Sequence, residues 1–278
     1  MRSLLLAIQF FTRIPLPHAV AERIGFSQQA MQVAMGHWPA VGWLVGLAAA
    51  FAWQCSVWLW GTSALWMVSP SMLMALAVLI SMGSSVALTG AMHEDGLADV
   101  ADALGGHLPA QRALEVMKDS SVGSYAALTL ILAVLGKWVL LTTLGLLHSG
   151  LMLCVLLAAH VVSRAAPLWL AHTLPYVGLH GQSKTLQAAG SLQQLPITPA
   201  LLWCAPLLGI YFLPDGAWLL TVVAGATVVA WLLCLPLLRA WFKRRLGGIT
   251  GDCLGASQQI CELVVYAAAL ALCAHTIA

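Results

Sequence analysis

Six of the ten acidic residues of this 278-residue chain fall between positions 93 and 119: Glu94, Asp95, Asp99, Asp102, Glu115 and Asp119. Asp95, Asp99 and Asp102 stand at i, i+4 and i+7, which share one face of an α-helix. Three carboxylates on one face repel one another unless a cation sits among them. Hard oxygen ligands so placed suit Mg²⁺, which takes one or two carboxylates and completes its shell with water and substrate phosphates. Gly96, beside the first aspartate, would let a phosphate approach closely. His93 precedes the group. If helical it points away from the carboxylate face; if the helix starts at Asp95 it is a candidate general base. A second short helix is expected after Gly105-Gly106, with Pro109 in its first turn. It carries Arg112 and Glu115 and leads to Lys118 and Asp119.

A second polar motif lies near the other end of the chain: Gly247-Gly-Ile-Thr-Gly-Asp-Cys-Leu-Gly255. Backbone N–H groups in glycine-rich loops cradle phosphate, so Thr250 and Gly251 are candidate phosphate contacts and Asp252 a candidate metal ligand. Asp252 reads equally well as the cap of the helix that follows. No lysine follows the glycines, so this is not a Walker A loop. Arg239, Lys243, Arg244 and Arg245 precede it, read first as a positive anchor at a membrane boundary and second as a phosphate-binding cluster. Arg164 lies inside an apolar run beside Ser163. A buried guanidinium needs anions, so Arg164 pairs with Asp252 or Glu262, or holds a substrate phosphate through its planar fork. His160, one turn earlier, reads as a packing histidine.

The elements that must position these groups are membrane helices. The chain is 61% hydrophobic and 8% charged, whereas a soluble domain carries about 25% charged residues. The fold class expected is all-α, a polytopic integral membrane helix bundle. It is read as one membrane domain over residues 1–278, with cytoplasmic segments at 93–121 and 239–256. Seven spans are placed at about 37–60, 71–92, 122–147, 151–172, 199–213, 217–238 and 257–277, by the ~20 apolar residues a crossing needs. Leu4 to Phe11 is too short to cross and reads as a short membrane-associated helix, and Ser183 to Leu195 as an amphipathic stretch on the membrane surface. Gly42 and Gly46 form a small face for close helix packing, within the chain or between chains. Lys137, inside a span, must face protein or water, and Glu262 in the last span wants a partner. The seven cysteines are scattered without a Cys-x-x-Cys pair and read as small buried hydrophobes. With the N-terminus in the cytoplasm, ten of the twelve lysines and arginines fall on that side and the other two inside spans, as the positive-inside tendency requires. Both polar motifs then face the cytoplasm.

Clustered carboxylates, basic groups and glycines on that face point to metal-assisted phosphoryl chemistry. Two other classes share the features. A divalent-cation channel or transporter also uses carboxylates, though near the bilayer midplane and on repeated halves. A lipid phosphotransferase of the CDP-alcohol type has similar aspartate spacing, but its full motif is absent.

His93-Glu-Asp-Gly-Leu-Ala-Asp99 and Met117-Lys-Asp-Ser120 resemble the signature of the cobalamin synthase family, the membrane-bound adenosylcobinamide-GDP ribazoletransferases. Gln9-Phe-Phe-Thr-Arg-Ile-Pro15, Ser163-Arg-Ala-Ala-Pro167 and Gly248 to Ala256 resemble its other motifs, in order along most of the chain. Ala103 stands where the family pattern has Gly, and Ser121 where Arg is common, which removes one phosphate contact. The resemblance implies transfer of the adenosylcobinamide phosphate of adenosylcobinamide-GDP to α-ribazole or its 5′-phosphate, with release of GMP, in the last assembly steps of cobalamin (vitamin B12). It further implies Mg²⁺ held by Asp95, Asp99 and Asp102 with Asp119 or Asp252, and diphosphate held by Lys118, Arg112 and Arg164. The expected location is the cell (inner) membrane. The expected partners are the two substrates and membrane lipid, with no nucleic acid. A second copy or other enzymes of the nucleotide-loop assembly are further candidate partners.

Overall fold

The computed structural model describes residues 2–19, 22, 25, 27–61, 69–178 and 197–277. The expected surface helix Ser183–Leu195, the loop residues 62–68, and Arg23 and Lys184 of the charge count lie outside the described residues. The described chain is helical, its β-pairing limited to a single bridge between Tyr176 and Ile249. In chain order the helices are α1 (Arg2–Phe11), α2 (Gln28–Met35), α3 (Trp38–Gly61), α4 (Pro70–Thr89), α5 (Met92–Gly105), α6 (Ala110–Val116), α7 (Ser124–Leu147), α8 (Ser149–Thr173) and α9 (Ile197–Cys204). A 3-10 segment (Ala205–Phe212), α10 (Gly216–Leu246) and α11 (Gly251–Ile277) complete the chain.

Six of these helices, α3, α4, α7, α8, α10 and α11, are long and apolar enough to cross a membrane. α8 is the axis of the bundle: 89% of its most apolar window lies inside the protein, against 22% for α7. α7 instead turns Leu128, Ile131, Leu132, Leu135 and Val139 outward. An outward apolar face of that size suits lipid, and the chain is a multi-pass membrane protein. α8 can be central because α3 presents glycines to it. A Cβ at Gly42 would run into the His160 carbonyl oxygen, and one at Gly46 would stand 3.3 Å from His160 Cβ. The Gly42/Gly46 face therefore packs within the chain.

The expected fifth span is where the structure departs most. Residues 199–213 form no continuous α-helix; the eight residues of α9 give way to an eight-residue 3-10 segment with Pro206 in its first turn. Proline lacks the N–H an α-helix would use there. The segment still runs the height of the bundle. Ala200 packs in the hydrophobic cluster with Trp38, Leu97 and Phe242, while Leu207 and Ile210 pack in the one with Leu144, Leu151 and Val222. The wider 3-10 rise stretches these residues to roughly 28 Å, close to the hydrocarbon thickness. Two boundaries also move. α10 continues past 238 through the basic cluster to Leu246, and α11 begins at Gly251 and not at 257. The glycine-rich motif is thus half loop and half helix.

Candidate active site

α4 hands the chain to α5 through two consecutive left-handed residues, Gly90 (φ 67°) and Ala91 (φ 61°). Glycine adopts this freely, and alanine only where its surroundings impose it. The turn lays α5 across the start of α11. The crossing is closed by glycine on both sides. A Cβ at Gly96 would stand 2.9 Å from the Asp252 carbonyl oxygen, and one at Gly255 3.4 Å from His93 Cα. The space expected for a phosphate at Gly96 is therefore occupied by the α11 backbone, and Gly96 acts by letting the two helices touch. Asp95 and Asp99 of α5 consequently meet Asp252 in the first turn of α11, the positive end of that helix.

The carboxylates feel one another. Asp99, half-buried, is raised to about 7 by its burial and by the charges of Asp252, Asp95 and Asp102. Lys118 lies close enough to act electrostatically on Asp252. Asp102 has another partner: its Oδ2 accepts from Gly123 N at 2.7 Å and its Oδ1 from Ala126 N at 2.8 Å. Both oxygens cap the N-terminus of α7. Asp119 is exposed past the end of α6 and accepts from Ser121 N at 3.0 Å. Its hydrogen bonds with Ser121 hold it below the usual carboxylate range.

The remaining candidates take separate places. Thr250, not Asp252, caps α11, its hydroxyl accepting from Cys253 N at 3.3 Å. That hydroxyl is buried, so of the expected phosphate pair only Gly251 faces the site. Arg112 is exposed and pairs with Glu115 at 2.8 Å. Arg245, expected as a membrane anchor or a phosphate contact, donates to Leu104 O at 2.8 Å and Gly106 O at 2.7 Å, satisfying the C-terminal carbonyls of α5. The loop before α11 is held by Val177 N donating to Ile249 O and Ile249 N to Pro175 O, each at 2.9 Å.

Arg164 is fully buried in α8, where Nη1 donates to His160 O at 2.8 Å. It belongs to a polar network inside the bundle. There Lys137 donates to Gln259 Oε1 at 2.7 Å and Glu262 Oε1 at 2.9 Å. Gln258 and Tyr266 also donate to Glu262, at 2.6 and 3.1 Å. Gln259 in turn donates to Glu94 Oε1 of α5 at 3.1 Å. The partners expected for Lys137 and Glu262 are thus each other.

A pocket of about 230 Å³ opens beside the acids, lined by Asp95, Gly251 and Asp252 together with Phe10, Phe11, Met35, Trp38 and His93. Phe11 stacks on Trp38 (4.6 Å, 10°), and His93 meets both rings edge-on. Burial, reinforced by the Arg164 charge, holds the His93 imidazole well below its ordinary range, so the ring is neutral. The aromatic wall escaped the motif reading, although Phe10 and Phe11 belong to the N-terminal signature and Trp38 opens the first span. Among the described residues no three His, Cys, Asp or Glu side chains converge tightly enough for an all-protein metal cage. Mg²⁺ needs none, because one or two carboxylates, water and substrate phosphates suffice. Asp95 and Asp252, which share the pocket, are the carboxylates available for that more open arrangement, with Asp99 within electrostatic reach of both.

The model of the family described as cobalamin-5-phosphate synthase matches residues 3–270. The chain is 41% identical to the adenosylcobinamide-GDP ribazoletransferase of Polaromonas sp. (strain JS666), with 95% of each chain covered. It is also 41% identical to that of Albidiferax ferrireducens, over 95% of this chain and 96% of the relative. It is 37% identical to that of Vibrio cholerae, over 98% and 95%. No solved structure matches. With the match running from α1 through most of α11, the chain belongs to the cobalamin-5-phosphate synthase family.

Proposed function

We propose that this chain is an adenosylcobinamide-GDP ribazoletransferase, joining adenosylcobinamide phosphate to ribazole or ribazole phosphate and releasing GMP. Family membership supports the substrates. The observation that carries the chemistry is the meeting of Asp95 and Asp99 with Asp252 across the glycine contact of α5 and α11.

In this reading a ribose hydroxyl of ribazole attacks the phosphorus on the cobinamide side of the diphosphate. The new O–P bond forms as the bond to the bridging oxygen breaks, and that oxygen leaves with GMP. The hydroxyl proton passes to a carboxylate at the pocket mouth. Asp95, Asp99 and Asp252 would hold Mg²⁺, which when bound neutralises the diphosphate oxygens. Lys118, beside Asp252, holds the leaving phosphate as a point charge. Gly251 presents backbone N–H at the start of α11, where anions are favoured. Arg112 pairs with Glu115 at the surface and Arg164 is buried in α8 with Nη1 on His160 O, so neither is assigned to the diphosphate. Lys137 and Glu262 are paired inside the bundle, which suits a rigid scaffold more than a path for ions.

The bundle end carrying α5 also carries Arg2, Arg13, Arg112, Lys118, Lys243, Arg244 and Arg245. This supports a cytoplasmic face for that end, in the cell inner membrane. The test is GMP release from adenosylcobinamide-GDP and ribazole phosphate by detergent-purified protein, with Mg²⁺ or EDTA. Product formed with Mg²⁺ and absent with EDTA is expected, and a folded Asp99→Asn variant should be inactive. A well-folded wild type that makes no product sinks the assignment.

A further inference from the structure

We propose that the aromatic pocket between α1, the start of α3, α5 and the start of α11 holds the base of the acceptor nucleoside. This assignment rests on the function proposed above. Trp38 (2% exposed) and His93 (1% exposed) both line the pocket. Trp38 Nε1 and His93 Nε2 are each buried without a hydrogen-bond partner. Buried polar atoms are satisfied in the great majority of native structures, and two unsatisfied ones on adjoining rings beside a pocket point to a ligand.

The chemistry of the walls selects that ligand. Phe10, Phe11, Met35 and Leu254 are apolar, and stacked rings beside an empty volume suit a flat aromatic body. The indole N–H is a fixed donor, whereas a neutral imidazole offers a donor or an acceptor. The pocket's carboxylates belong to Asp95 and Asp252, among the groups assigned to the diphosphate. A largely apolar bicycle with one ring-nitrogen acceptor matches this set. Ribazole is a ribonucleoside whose base is such a ring, a dimethylated benzimidazole. Guanine matches poorly: its N1–H and amino group need acceptors, and the pocket's two carboxylates are the ones assigned to the diphosphate. A corrin ring is too large for about 230 Å³. With the base seated among the rings, the ribose extends toward Asp95 and Asp252, where its hydroxyl must meet the diphosphate.

The assignment is tested by titrating ribazole, and separately its indole analogue lacking the ring-nitrogen acceptor, into the detergent-purified chain by calorimetry. Wild type should bind ribazole about ten-fold more tightly, one hydrogen bond's worth. Trp38→Phe keeps the ring and removes the donor. It should bring the two affinities level and raise KM for ribazole about ten-fold, while KM for adenosylcobinamide-GDP moves less than about two-fold. Equal affinities in wild type overturn the proposal without any variant. So does an undiminished preference in Trp38→Phe, or a rise confined to the KM for adenosylcobinamide-GDP. If GMP release in wild type is normal, such results remove the pocket assignment alone. A wild type that neither binds ribazole nor releases GMP removes the proposed function with it.

Discussion

Gly96 lies against the backbone of Asp252, so near that a Cβ added to the glycine would stand 2.9 Å from the Asp252 carbonyl oxygen. The contact sets the distance between the two halves of the acid cluster, because Asp95 and Asp99 flank Gly96 while Asp252 carries the third carboxylate. A methyl group there has no room and must push the helices apart. Overpacking of this kind costs about 1–3 kcal/mol. Gly96→Ala should therefore lower the midpoint of thermal unfolding in detergent. It should also cut kcat by about ten-fold or more, since small displacements at a reacting centre are expensive. Full activity in Gly96→Ala would show that the spacing of the two helices does not matter to the chemistry.

How far the sequence announced this site differs from residue to residue. Asp95 and Asp99 were legible because helical spacing is a local property and the surrounding chain is nearly free of charge. The pairing of Lys137 with Glu262 was half legible, since each was evidently too costly to leave alone in a span. Neither contact of Gly96 nor the capping role of Asp102 could be read so. Both depend on what a distant helix does, and a carboxylate that caps α7 has the same spacing as one that binds a cation. The break of α9 into a 3-10 segment was hinted at by Pro206. A window of apolar residues, however, reports length in residues and not rise per residue.

Asp102 gives a separation of roles that mutation can expose. Its two oxygens accept from Gly123 N and Ala126 N, and losing a cap costs about 0.5–2 kcal/mol. Asp102→Ala should lower the unfolding midpoint while leaving the Mg²⁺ concentration for half-maximal activity within about two-fold of wild type. Asp102→Asn, which keeps one acceptor, should lie between. A ten-fold rise in the Mg²⁺ requirement at unchanged stability would return Asp102 to the metal site.

Asp99 links the cluster to pH. Its pKa is raised from 3.8 to about 7, so the fold favours the protonated form. The resulting stability is present in full below about pH 4 and is lost as pH rises through about 7. In EDTA, wild type should therefore lose stability between these limits, whereas Asp99→Asn, which stays neutral, should lose less. At about pH 8 the variant should be the more stable of the two, by on the order of 1 kcal/mol after allowing for solvent screening at a half-exposed site. The difference should shrink toward about pH 4. Identical pH–stability curves would mean that the neighbouring charges are screened from Asp99.

The buried pair of Lys137 and Glu262 joins α7 to α11, and Gln259 carries the connection on to Glu94 of α5. Removing one partner leaves an uncompensated charge in the bundle, which costs about 3–5 kcal/mol. Replacing both by groups of similar shape removes the pair's own charges together. Lys137→Met should thus sharply reduce the yield of monodisperse protein and its unfolding midpoint in detergent. Lys137→Met with Glu262→Gln should recover most of that loss. Activity should recover less than stability. The double variant no longer has the Lys137 bond that orients Gln259, and Gln259 is what holds Glu94 one residue from Asp95. If both singles are as stable as wild type, the charges are reached by water and the network is not the clamp its geometry describes. If the double variant regains stability and activity together, the clamp on α5 is made by the glycine contact alone.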